Sequence, residues 1–491
     1  MNISSASFYN RKIFIYGLAR TGLSTLNYLK NKENQIICWD DESKIRKKIE
    51  KKYLLKSLKQ LKKISFDFIV ISPGIDKKNC PIKNFLNKNK NIIITDLDIF
   101  YSFNKSNKII SITGTNGKST TCKLLYEILK EAGHQVQLGG NIGRPVLALK
   151  KKKKSIIILE LSSYQLDYTR NFRSNHAAIL NITPDHIDRH KNIENYINAK
   201  KKIFKFQKKS DYAYLNNENK YFTKIRKNFY SKLKLVNLKN FHKLKKYINN
   251  NYLLTKNNQE NLLFVFEILK KFKTRKKLIF KVINKFNGLP HRQERVYTGK
   301  KIICINDSKA TSFESTKQAL INYKNIFWIV GGIPKKKDKI KLSMYKKNII
   351  KAYIIGKNKN FFVNQLKKEI SYLKCINLSH AFIKIIKDII NFRKKKLNLV
   401  TPTVLFSPSA ASFDVYKNFE QRGEHFKILF KKNKNKLNSN YIVSVYINLI
   451  YLLLIIPGII FMENGLFCRY YFFFLLFVYT YIYRRLNKEL K

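Results

Sequence analysis

The chain has 491 residues, 44% of them hydrophobic, so each of the about three domains expected from this length can bury a core. Lys and Arg total 98 against 31 Asp and Glu, but the excess is mostly Lys spread among Asn and Ile without a nucleic-acid motif, so we expect no nucleic-acid partner. Six scattered cysteines without a C-x-x-C pair argue against a zinc site and a disulfide framework. The N-terminus has no apolar run typical of a signal peptide, which favours a cytoplasmic protein.

Residues 1–104 are predicted to alternate short strands and helices. KIFIYG, QIICWD and FDFIVISPGI have the pattern of buried strands, and TGLSTLNYLK that of a helix. Such alternation predicts a parallel sheet with crossover helices. The turn Gly17–Gly22 lies between the first strand and the first helix, and Asp40 ends the next strand, as in dinucleotide-binding folds. Ala19 replaces the middle glycine, so the turn indicates only some phosphate-bearing ligand, and a tight turn without a ligand is the alternative.

A second unit, predicted over residues 105–295, contains a short phosphate loop. The strand KIISITG leads into GTNGKST, and a helical segment follows. The usual loop is G-x-x-x-x-G-K-[ST], whereas here only Thr115 and Asn116 separate the two glycines. Backbone N–H groups and the helix N-terminus can bind phosphates, Lys118 adds a cation, and the Ser119 hydroxyl is placed to reach Mg²⁺.

Polar residues follow two further strands of this unit. Glu160 ends the strand IIILE, and His186 lies in NITPDHIDRH after another strand. Ligands of parallel sheets bind beyond the carboxyl ends of the strands, so Ser119, Glu160 and His186 can converge on one metal. Mg²⁺ prefers oxygen ligands, which makes one imidazole unusual. Taken singly, His186 is more often a structural histidine, but beside a phosphate loop and Glu160 the interpretation as a metal ligand is favoured. The Lys- and Asn-rich stretch 216–256 is predicted as surface helix and loop.

A third α/β unit is predicted over residues 296–432, from strands such as NIFWIVGG and TVLFSPS. The expected fold is therefore α/β with three domains: a Rossmann-like N-terminal domain, a central domain with the parallel sheet of P-loop ATPases, and a Rossmann-like C-terminal domain. Residues 433–491 are predicted to contain a polar linker and a transmembrane hairpin over 441–483. The run 441–462 carries no charge, and Lys- and Arg-rich flanks favour cytoplasmic ends. A buried helical hairpin of a soluble domain is the alternative.

Several motifs together resemble the Mur ligases, in the same order and over about residues 8–430. They are TGTNGKST, ELSSYQL, NITPDHIDRH, YINAKKKIF, GLPHRQE, NDSKATS and SPSAASFDVYKNFEQRGEHF. Folylpolyglutamate synthases share the short phosphate loop, but NDSKATS and the last motif are typical of the D-glutamate-adding branch. The resemblance implies a monomeric amide ligase of peptidoglycan precursor synthesis that uses ATP and Mg²⁺. It implies that UDP-N-acetylmuramoyl-L-alanine is activated as an acyl phosphate, which D-glutamate then attacks.

The resemblance also implies a role for individual residues, by alignment with the family's motifs. Catalytic roles fall on Lys118, His186, Lys200 and Lys309, and metal ligation on Ser119, Glu160, His186 and a carbamylated Lys200. ATP contacts fall on Gly114, Thr115, Asn116, Gly117, Lys118, Ser119, Thr120, Asn258, Asn261, His291, Arg292 and Asp307. The UDP-substrate is assigned to Arg20, Thr21, Asp40, Ser72, Asn141, Ser162 and Gln165, and D-glutamate to Thr311, Lys335, Ser412 and Phe419.

Four positions depart from the family pattern. Asn257 replaces a histidine, Ser312 an asparagine, Lys336 a glycine and Ala410 a cysteine. None of them removes a proposed catalytic group. Two other classes of function fit the sequence less well than a ligase does. A Rossmann oxidoreductase is disfavoured by the second, lysine-bearing phosphate loop, and a membrane-attached nucleotide-binding module without catalysis is disfavoured by the presence of Glu160, His186 and Lys309.

Overall fold

The computed structural model describes residues 3–219, 221–222, 229–250, 252–286, 288–299, 301–335, 338–395 and 400–438. The hairpin predicted over 441–483 lies outside these residues. Within them, no helix combines the length and the apolar character needed to span a membrane. The chain divides into two compact units, residues 1–287 and 288–491.

The first unit begins with a four-stranded parallel sheet in the order β2-β1-β3-β4. Its elements are β1 (Lys12–Tyr16), α1 (Arg20–Leu29), β2 (Gln35–Trp39), α2 (Ser43–Arg46), β3 (Phe68–Ile71), α3 (Lys83–Lys88), β4 (Ile93–Ile94) and α4 (Asp96–Phe103). Ile13, Phe14, Ile15 and Tyr16 are all buried, so β1 is covered on both faces. A continuous apolar run is what a central parallel strand between two helical layers requires.

A six-stranded parallel sheet follows in the same unit, in the order β10-β9-β8-β5-β7-β6. Its elements are β5 (Lys108–Thr113), α5 (Lys118–Glu131), β6 (Val136–Gly140), β7 (Ile156–Glu160), α6 (Ser163–Asp167), β8 (His176–Ile179), α7 (Ile187–His190), α8 (Ile193–Lys201), β9 (Tyr212–Asn216), β10 (Lys232–Val236), α9 (His242–Lys245), α10 (Lys256–Leu269) and α11 (Lys276–Lys285). Alternate residues of β5 face opposite layers. Ile110 packs with the apolar residues of α5, α10 and α11, whereas Ile109 joins a core shared with the first sheet. The prediction of helix and loop for 216–256 was wrong at β10, which pairs with β9.

The second unit contains a six-stranded sheet in the order β11-β12-β16-β13-β14-β15. Its elements are β11 (Glu294–Thr298), β12 (Ile303–Asn306), α12 (Phe313–Asn322), β13 (Ile326–Gly331), β14 (Ile349–Ile355), α13 (Lys359–Leu366), β15 (Tyr372–Lys374), α14 (Leu378–Lys395), β16 (Thr403–Phe406) and α15 (Phe419–Asn438). Only the edge strand β11 pairs antiparallel. The chain runs outward from β13 to β15 and then returns to place β16 beside β13. Strand order therefore reverses between β13 and β16, which is the topological switch point where such sheets bind ligands.

Candidate active site

The phosphate loop joins β5 to α5 and presses against α10. Gly117 precedes the first residue of α5 with φ of 83°, a backbone conformation that side chains disfavour. A Cβ atom at this position would overlap the Asn261 side chain of α10. A glycine is therefore needed here both for the turn and for the close approach of α10.

Asn181, which follows β8 by two residues, holds the loop in place. Its carbonyl oxygen accepts a hydrogen bond from the Thr115 N–H at 3.0 Å, and its Oδ1 accepts one from the Asn116 N–H at 2.9 Å. Its Nδ2 donates to Glu260 at 3.1 Å, and burial raises the pKa of the Glu260 carboxyl. No role was assigned to Asn181 or Glu260 from the sequence, although Asn181 opens the motif NITPDHIDRH.

The Lys118 ammonium lies within the loop. Its Nζ donates to the carbonyl oxygens of Gly114 at 2.8 Å and Thr115 at 2.7 Å. The Thr115 hydroxyl in turn donates to the Thr183 carbonyl at 3.1 Å. These contacts place a positive charge among the backbone groups of the loop. A bound phosphate can replace the two carbonyl oxygens as the hydrogen-bond partner of this ammonium.

Ser119 and Glu160 meet at the carboxyl ends of the adjacent strands β5 and β7. The Ser119 Oγ donates to Glu160 Oε2 at 2.5 Å, and Asn141 Nδ2 donates to Oε1 at 2.8 Å. Both Ser119 and Glu160 are fully buried. A hydroxyl and a carboxylate are the oxygen donors that Mg²⁺ prefers, and Mg²⁺ commonly retains several waters. The pair therefore fits a Mg²⁺ site, although no group of three His, Cys, Asp or Glu side chains arranged as metal ligands occurs among the described residues.

His186 lies at the start of α7 in a left-handed conformation with φ of 55°. Its Nδ1 shares a hydrogen bond of 3.0 Å with the Tyr164 hydroxyl, and its Nε2 lies 3.4 Å from Asp185 Oδ2. The side chain is 40% exposed. The imidazole is thus oriented by a phenol and a carboxylate at the surface of the second sheet.

Lys200 is buried behind the phosphate loop at the end of α8. Its Nζ donates to the Gly114 carbonyl at 2.9 Å and lies 4.6 Å from the centre of the Tyr196 ring. Burial, followed by repulsion from Lys118, lowers the pKa of Lys200 well below its ordinary value, and attraction to Asp185 and Glu160 only partly opposes this. The neutral amine is therefore favoured.

The first glycine turn is closed by side chains from β2 and β3. The Asp40 carboxylate accepts hydrogen bonds from the Leu18 N–H at 2.6 Å and the Glu42 N–H at 2.9 Å. Ser72 Oγ donates to the Gly17 carbonyl at 2.6 Å. Asp40 and Ser72 therefore shape the turn itself.

Other residues assigned to the UDP-substrate link neighbouring segments of the first unit. The guanidinium of Arg20 donates to the Gly143 carbonyl, close in sequence to Asn141, and the Thr21 carbonyl accepts from Thr25 Oγ1 at 3.0 Å. Ser162 and Gln165 form a reciprocal capping box at the start of α6, with Gln165 Oε1 accepting from the Ser162 N–H at 3.0 Å. This cap gives both side chains a structural role as well.

Two asparagines of α10 form a short chain of hydrogen bonds beside the loop. Asn261 Nδ2 donates to Asn258 Oδ1 at 3.0 Å, and Asn258 Nδ2 donates to the Tyr252 carbonyl at 2.8 Å. Asn261 Oδ1 is buried and accepts no hydrogen bond from the described residues. A buried acceptor without a donor is costly in a protein interior, so a bound ligand that donates to Asn261 Oδ1 would remove this cost.

In the second unit, Asp307 and Lys309 lie in the segment after β12. Asp307 accepts hydrogen bonds from Ser407 Oγ at 2.7 Å and the Gln293 N–H at 3.1 Å, and burial raises the pKa of Asp307 to about 7. Lys309 Nζ lies 5.0 Å from the centre of the Phe419 ring. The backbone N–H of Lys309 donates to the His291 carbonyl at 3.0 Å.

The remaining assigned residues of the second unit contribute local contacts. The Arg292 Nε is buried without a hydrogen-bond partner among the described residues. Ser412 is 2% exposed, and the Lys335 carbonyl accepts from the Asp338 N–H at 3.0 Å. Thr311 is half-buried just before α12. Phe419 begins α15, and its carbonyl accepts from Ser308 Oγ at 2.8 Å.

Comparison with known proteins extends over nearly the whole described chain. The family model "Mur ligase middle domain" matches residues 112–287, and "Mur ligase MurD-like, N-terminal domain" matches residues 11–94. A Buchnera aphidicola (subsp. Schizaphis graminum) protein named "UDP-N-acetylmuramoylalanine--D-glutamate ligase" is 37% identical over 455 residues, which cover 87% of this chain and 99% of the relative. A Rickettsia bellii protein of the same name is 36% identical over 447 residues, covering 86% and 97%.

A solved structure supports the fold. The "UDP-N-acetylmuramate-alanine ligase MurC" of Thermotoga maritima superimposes with a TM-score of 0.50 at 12% identity, covering 86% of this chain and 100% of that one. At this identity the likeness concerns the fold alone. The sequence identity to the curated relatives is higher and covers almost their full length. The chain therefore belongs to the Mur ligase family.

Proposed function

We propose that the protein is an ATP-dependent amide ligase that adds D-glutamate to UDP-N-acetylmuramoyl-L-alanine in peptidoglycan precursor synthesis. The observation that carries this proposal is the match at 36–37% identity to nearly the full length of relatives that bear this activity in their name. The phosphate loop, with Lys118 inside it and the Ser119–Glu160 pair beside it, supports the phosphoryl-transfer half of the reaction.

The proposed reaction proceeds in two steps. A carboxylate oxygen of the muramoyl substrate attacks the γ-phosphorus of ATP, the bond to the bridging oxygen breaks, and ADP leaves. The amine of D-glutamate then attacks the acyl phosphate, loses a proton, and the tetrahedral intermediate expels inorganic phosphate. Negative oxygens crowd together in the first step, so positive charge must be fixed in place beforehand. Lys118 and the N-terminus of α5 provide this positive charge. Asn258 and Asn261 are proposed to lie near the adenine.

Bound Mg²⁺ would neutralise charge on the phosphate oxygens. Ser119 and Glu160 are the residues proposed to hold it, with His186 as a further ligand. Lys200 is proposed to be carbamylated, because it aligns with the lysine that is carbamylated in the family. In that reaction a neutral amine attacks CO₂ and releases a proton to form the carbamate. The lowered pKa of Lys200 supplies that neutral amine. The resulting carbamate would be an anionic oxygen ligand for a second Mg²⁺.

The substrates are proposed to be divided among three domains with boundaries at residues 1–104, 105–295 and 296–432. The UDP-substrate belongs to Arg20, Thr21, Asp40 and Ser72 of the first domain, with Asn141, Ser162 and Gln165 of the second. Arg292, at the end of the second domain, is proposed to contact ATP. The third domain supplies Asp307 and Lys309 for ATP and catalysis, and Thr311, Lys335, Ser412 and Phe419 for D-glutamate. A lysine suits this dianionic amino acid through charge-assisted hydrogen bonds.

The protein is further proposed to act as a monomer in the cytoplasm, attached to the membrane through residues 441–483. The charge-free run 441–462 supports the attachment.

One assay tests the proposed reaction. Phosphate release from ATP is measured with UDP-N-acetylmuramoyl-L-alanine and, in turn, D-glutamate, L-glutamate, L-lysine and meso-diaminopimelate. We expect release only when D-glutamate is present, together with a new amide product in the mass spectrum. Release with L-lysine or meso-diaminopimelate but not with D-glutamate would move the protein to another branch of the family. Absence of release with all four amino acids would refute the ligase.

A further inference from the structure

A cavity of about 410 Å³ opens in the second unit at the carboxyl ends of β13, β14 and β15. The segment after β16 forms its remaining wall through Asp414 and Val415. It therefore borders the switch point between β13 and β16, the place where open parallel sheets bind ligands. None of the residues assigned above to ATP or D-glutamate lines this cavity.

A buried guanidinium forms part of the cavity wall. Arg422 is 1% exposed, and its Nε and Nη2 donate to Ser308 Oγ at 3.1 Å, the Ser308 carbonyl at 2.8 Å and the Ala410 carbonyl at 2.9 Å. All three acceptors are neutral. The Nη1 is buried without a hydrogen-bond partner among the described residues, and burial lowers the pKa of Arg422 to about 10. A buried cation whose donors are incompletely used is costly, and an anion in the cavity would complete its coordination.

The charged residues around Arg422 favour an anion. Lys357 and Lys359 also line the cavity, and Asp414 is the one carboxylate among its described lining residues. The Asp414 Oδ2 accepts a hydrogen bond from the Lys357 N–H at 3.0 Å, and the Asp414 charge attracts Arg422, so the two lysines remain as an excess of positive charge. Asn377 lines the cavity and caps the 18-residue helix α14 by accepting from the His380 N–H at 2.9 Å. The positive end of the helix dipole therefore lies at the same wall.

The cavity also has room and an apolar side. Gly331, Gly332 and Gly356 present no side chain to it, and a Cβ atom on Gly356 would lie 2.6 Å from Asp414 Oδ2. Ile376 is 75% exposed and Val415 61% exposed beside it, which leaves an uncovered apolar surface for a planar or aliphatic group. The volume lies within the range of small-molecule sites.

We propose that this cavity binds a small phosphate monoester of nucleotide size, at a site separate from the ligase centre. The phosphate lies against Arg422, Lys357 and Lys359 and the N-terminus of α14, and the organic group covers Ile376 and Val415. Three cationic side chains against one carboxylate match a phosphate dianion, and the planar donors of an arginine suit its oxygens.

The test is hydrogen exchange of the full-length protein, followed by mass spectrometry, with AMP as the probe. Peptides over 355–360 and 376–381 should exchange more slowly as AMP is added, in a saturable manner. In the double variant Lys357→Ala/Lys359→Ala, the AMP concentration that gives half of the maximal protection should rise by about tenfold or more, since two charge-assisted contacts are lost. Lys367→Ala/Lys368→Ala, two exposed lysines after α13, is the matched control and should bind as the unmodified protein does.

The phosphate loop provides an internal reference in the same experiment. Protection of peptides over 114–120 by AMP reports the ligase centre and should be equal in all three proteins. Inorganic phosphate is the second probe and should protect the cavity at higher concentration than AMP does. Equal affinities would overturn the role given to Ile376 and Val415. Absence of protection at millimolar AMP, or protection that the double variant retains, would overturn the site.

Discussion

At the scale of single residues, Lys118 is the clearest test of the phosphate loop. Its ammonium is held by the carbonyl oxygens of Gly114 and Thr115, where phosphate oxygens gather during transfer. We expect Lys118→Ala to lower kcat by two to three orders of magnitude, about 3–4 kcal/mol of transition-state stabilisation, without unfolding the protein. Phosphate release and circular dichroism measure the two effects. Lys123→Ala, whose lysine pairs with Glu127 on the same helix, should keep its rate, and near-normal release by Lys118→Ala would remove the ATP site from this loop.

Lys200 provides a second residue-scale prediction. We expect Lys200→Ala to be nearly inactive and to be partly rescued by a short carboxylic acid, because a free carboxylate can replace the missing oxygen ligand. The intact protein should also be heavier by the mass of one CO₂ under conditions that preserve carbamates. Lys201→Ala, an exposed neighbour, is the control and should retain its rate. A Lys200→Ala variant with the normal rate, or a bare amine in the Mg²⁺-loaded protein, would contradict carbamylation.

Burial of Asp307 should make the protein less stable as the pH rises, because burial raises the pKa of this carboxyl. Its pKa of about 7 in the folded state lies above the ordinary value of 3.8, so the folded state keeps a proton that the unfolded state has already released. The resulting penalty is absent below about pH 4, grows until about pH 7 and is constant above it. Asp307→Asn should therefore raise the free energy of unfolding by about 2–4 kcal/mol at pH 8 and by less at pH 5. Calorimetry at both pH values measures the gain, and an equal gain at both would contradict the assignment.

The sequence indicates the residues proposed to bind ligands more readily than the residues that shape the loop. Lys118, Ser119 and Glu160 stand at the ends of strands or the start of a helix, where the pattern of elements already shows them. Asn181 and Glu260 act by holding backbone atoms of the loop from another strand and helix. That role depends on which strands become neighbours in the sheet, and the order β8-β5-β7 is not written in any local pattern.

At the scale of secondary-structure elements, Asn181 couples β8 to the phosphate loop and to α10. Asn181→Ala removes the acceptor of the Asn116 N–H and one donor to the partly buried Glu260 carboxylate. We expect the free energy of unfolding to fall by about 1–3 kcal/mol, the usual cost of leaving a buried group unpaired. We also expect the KM for ATP to increase more, relative to the unmodified protein, than the KM for D-glutamate. Asn89→Ala, which removes a hydrogen bond to the Phe85 carbonyl at the end of α3, is the control and should leave both KM values unchanged. Equal changes of both KM values in Asn181→Ala would indicate a general loss of structure instead.

The strand β10 shows where pattern recognition failed at this scale. Central strands such as β1 and β13 are buried along their length and appear in the sequence as unbroken apolar runs. In β10, Lys232, Lys234 and Leu235 are exposed and only Val236 is buried. The strand does alternate Lys and Leu, but it has only five residues and lies within a Lys- and Asn-rich stretch, whose composition favours surface helix and loop. Charged residues on edge strands are a common protection against unwanted pairing.

At the scale of the whole molecule, the alternation of strands and helices predicted three α/β domains. The structure contains three sheets in that order along the chain, within two compact units. The sheets could be predicted because parallel strands need crossover helices, so apolar strands and amphipathic helices must alternate. The matches to the two relatives cover 97–99% of each relative and 86–87% of this chain. The fold of the ligase therefore fits within the matched part of the chain.

The last prediction concerns this C-terminal region, residues 439–491. The run 441–462 has no charge and can cross a bilayer, whereas the 14 residues from Tyr470 to Tyr483 extend only about 21 Å as a helix and require tilting or an in-plane position. We expect full-length protein in the membrane fraction, and we expect a form ending at Asn438 to be soluble with an unchanged ligase rate.

The cut must spare α15, because Leu437 belongs to the core of the third sheet and its carbonyl accepts from Arg393 Nη1 at 2.7 Å. A second form ending at Lys432 removes these contacts and should lose several degrees of thermal stability, which provides a control for the choice of end point. Full-length protein in the soluble fraction would refute the anchor. An inactive but folded form ending at Asn438 would show instead that residues 439–491 take part in the reaction.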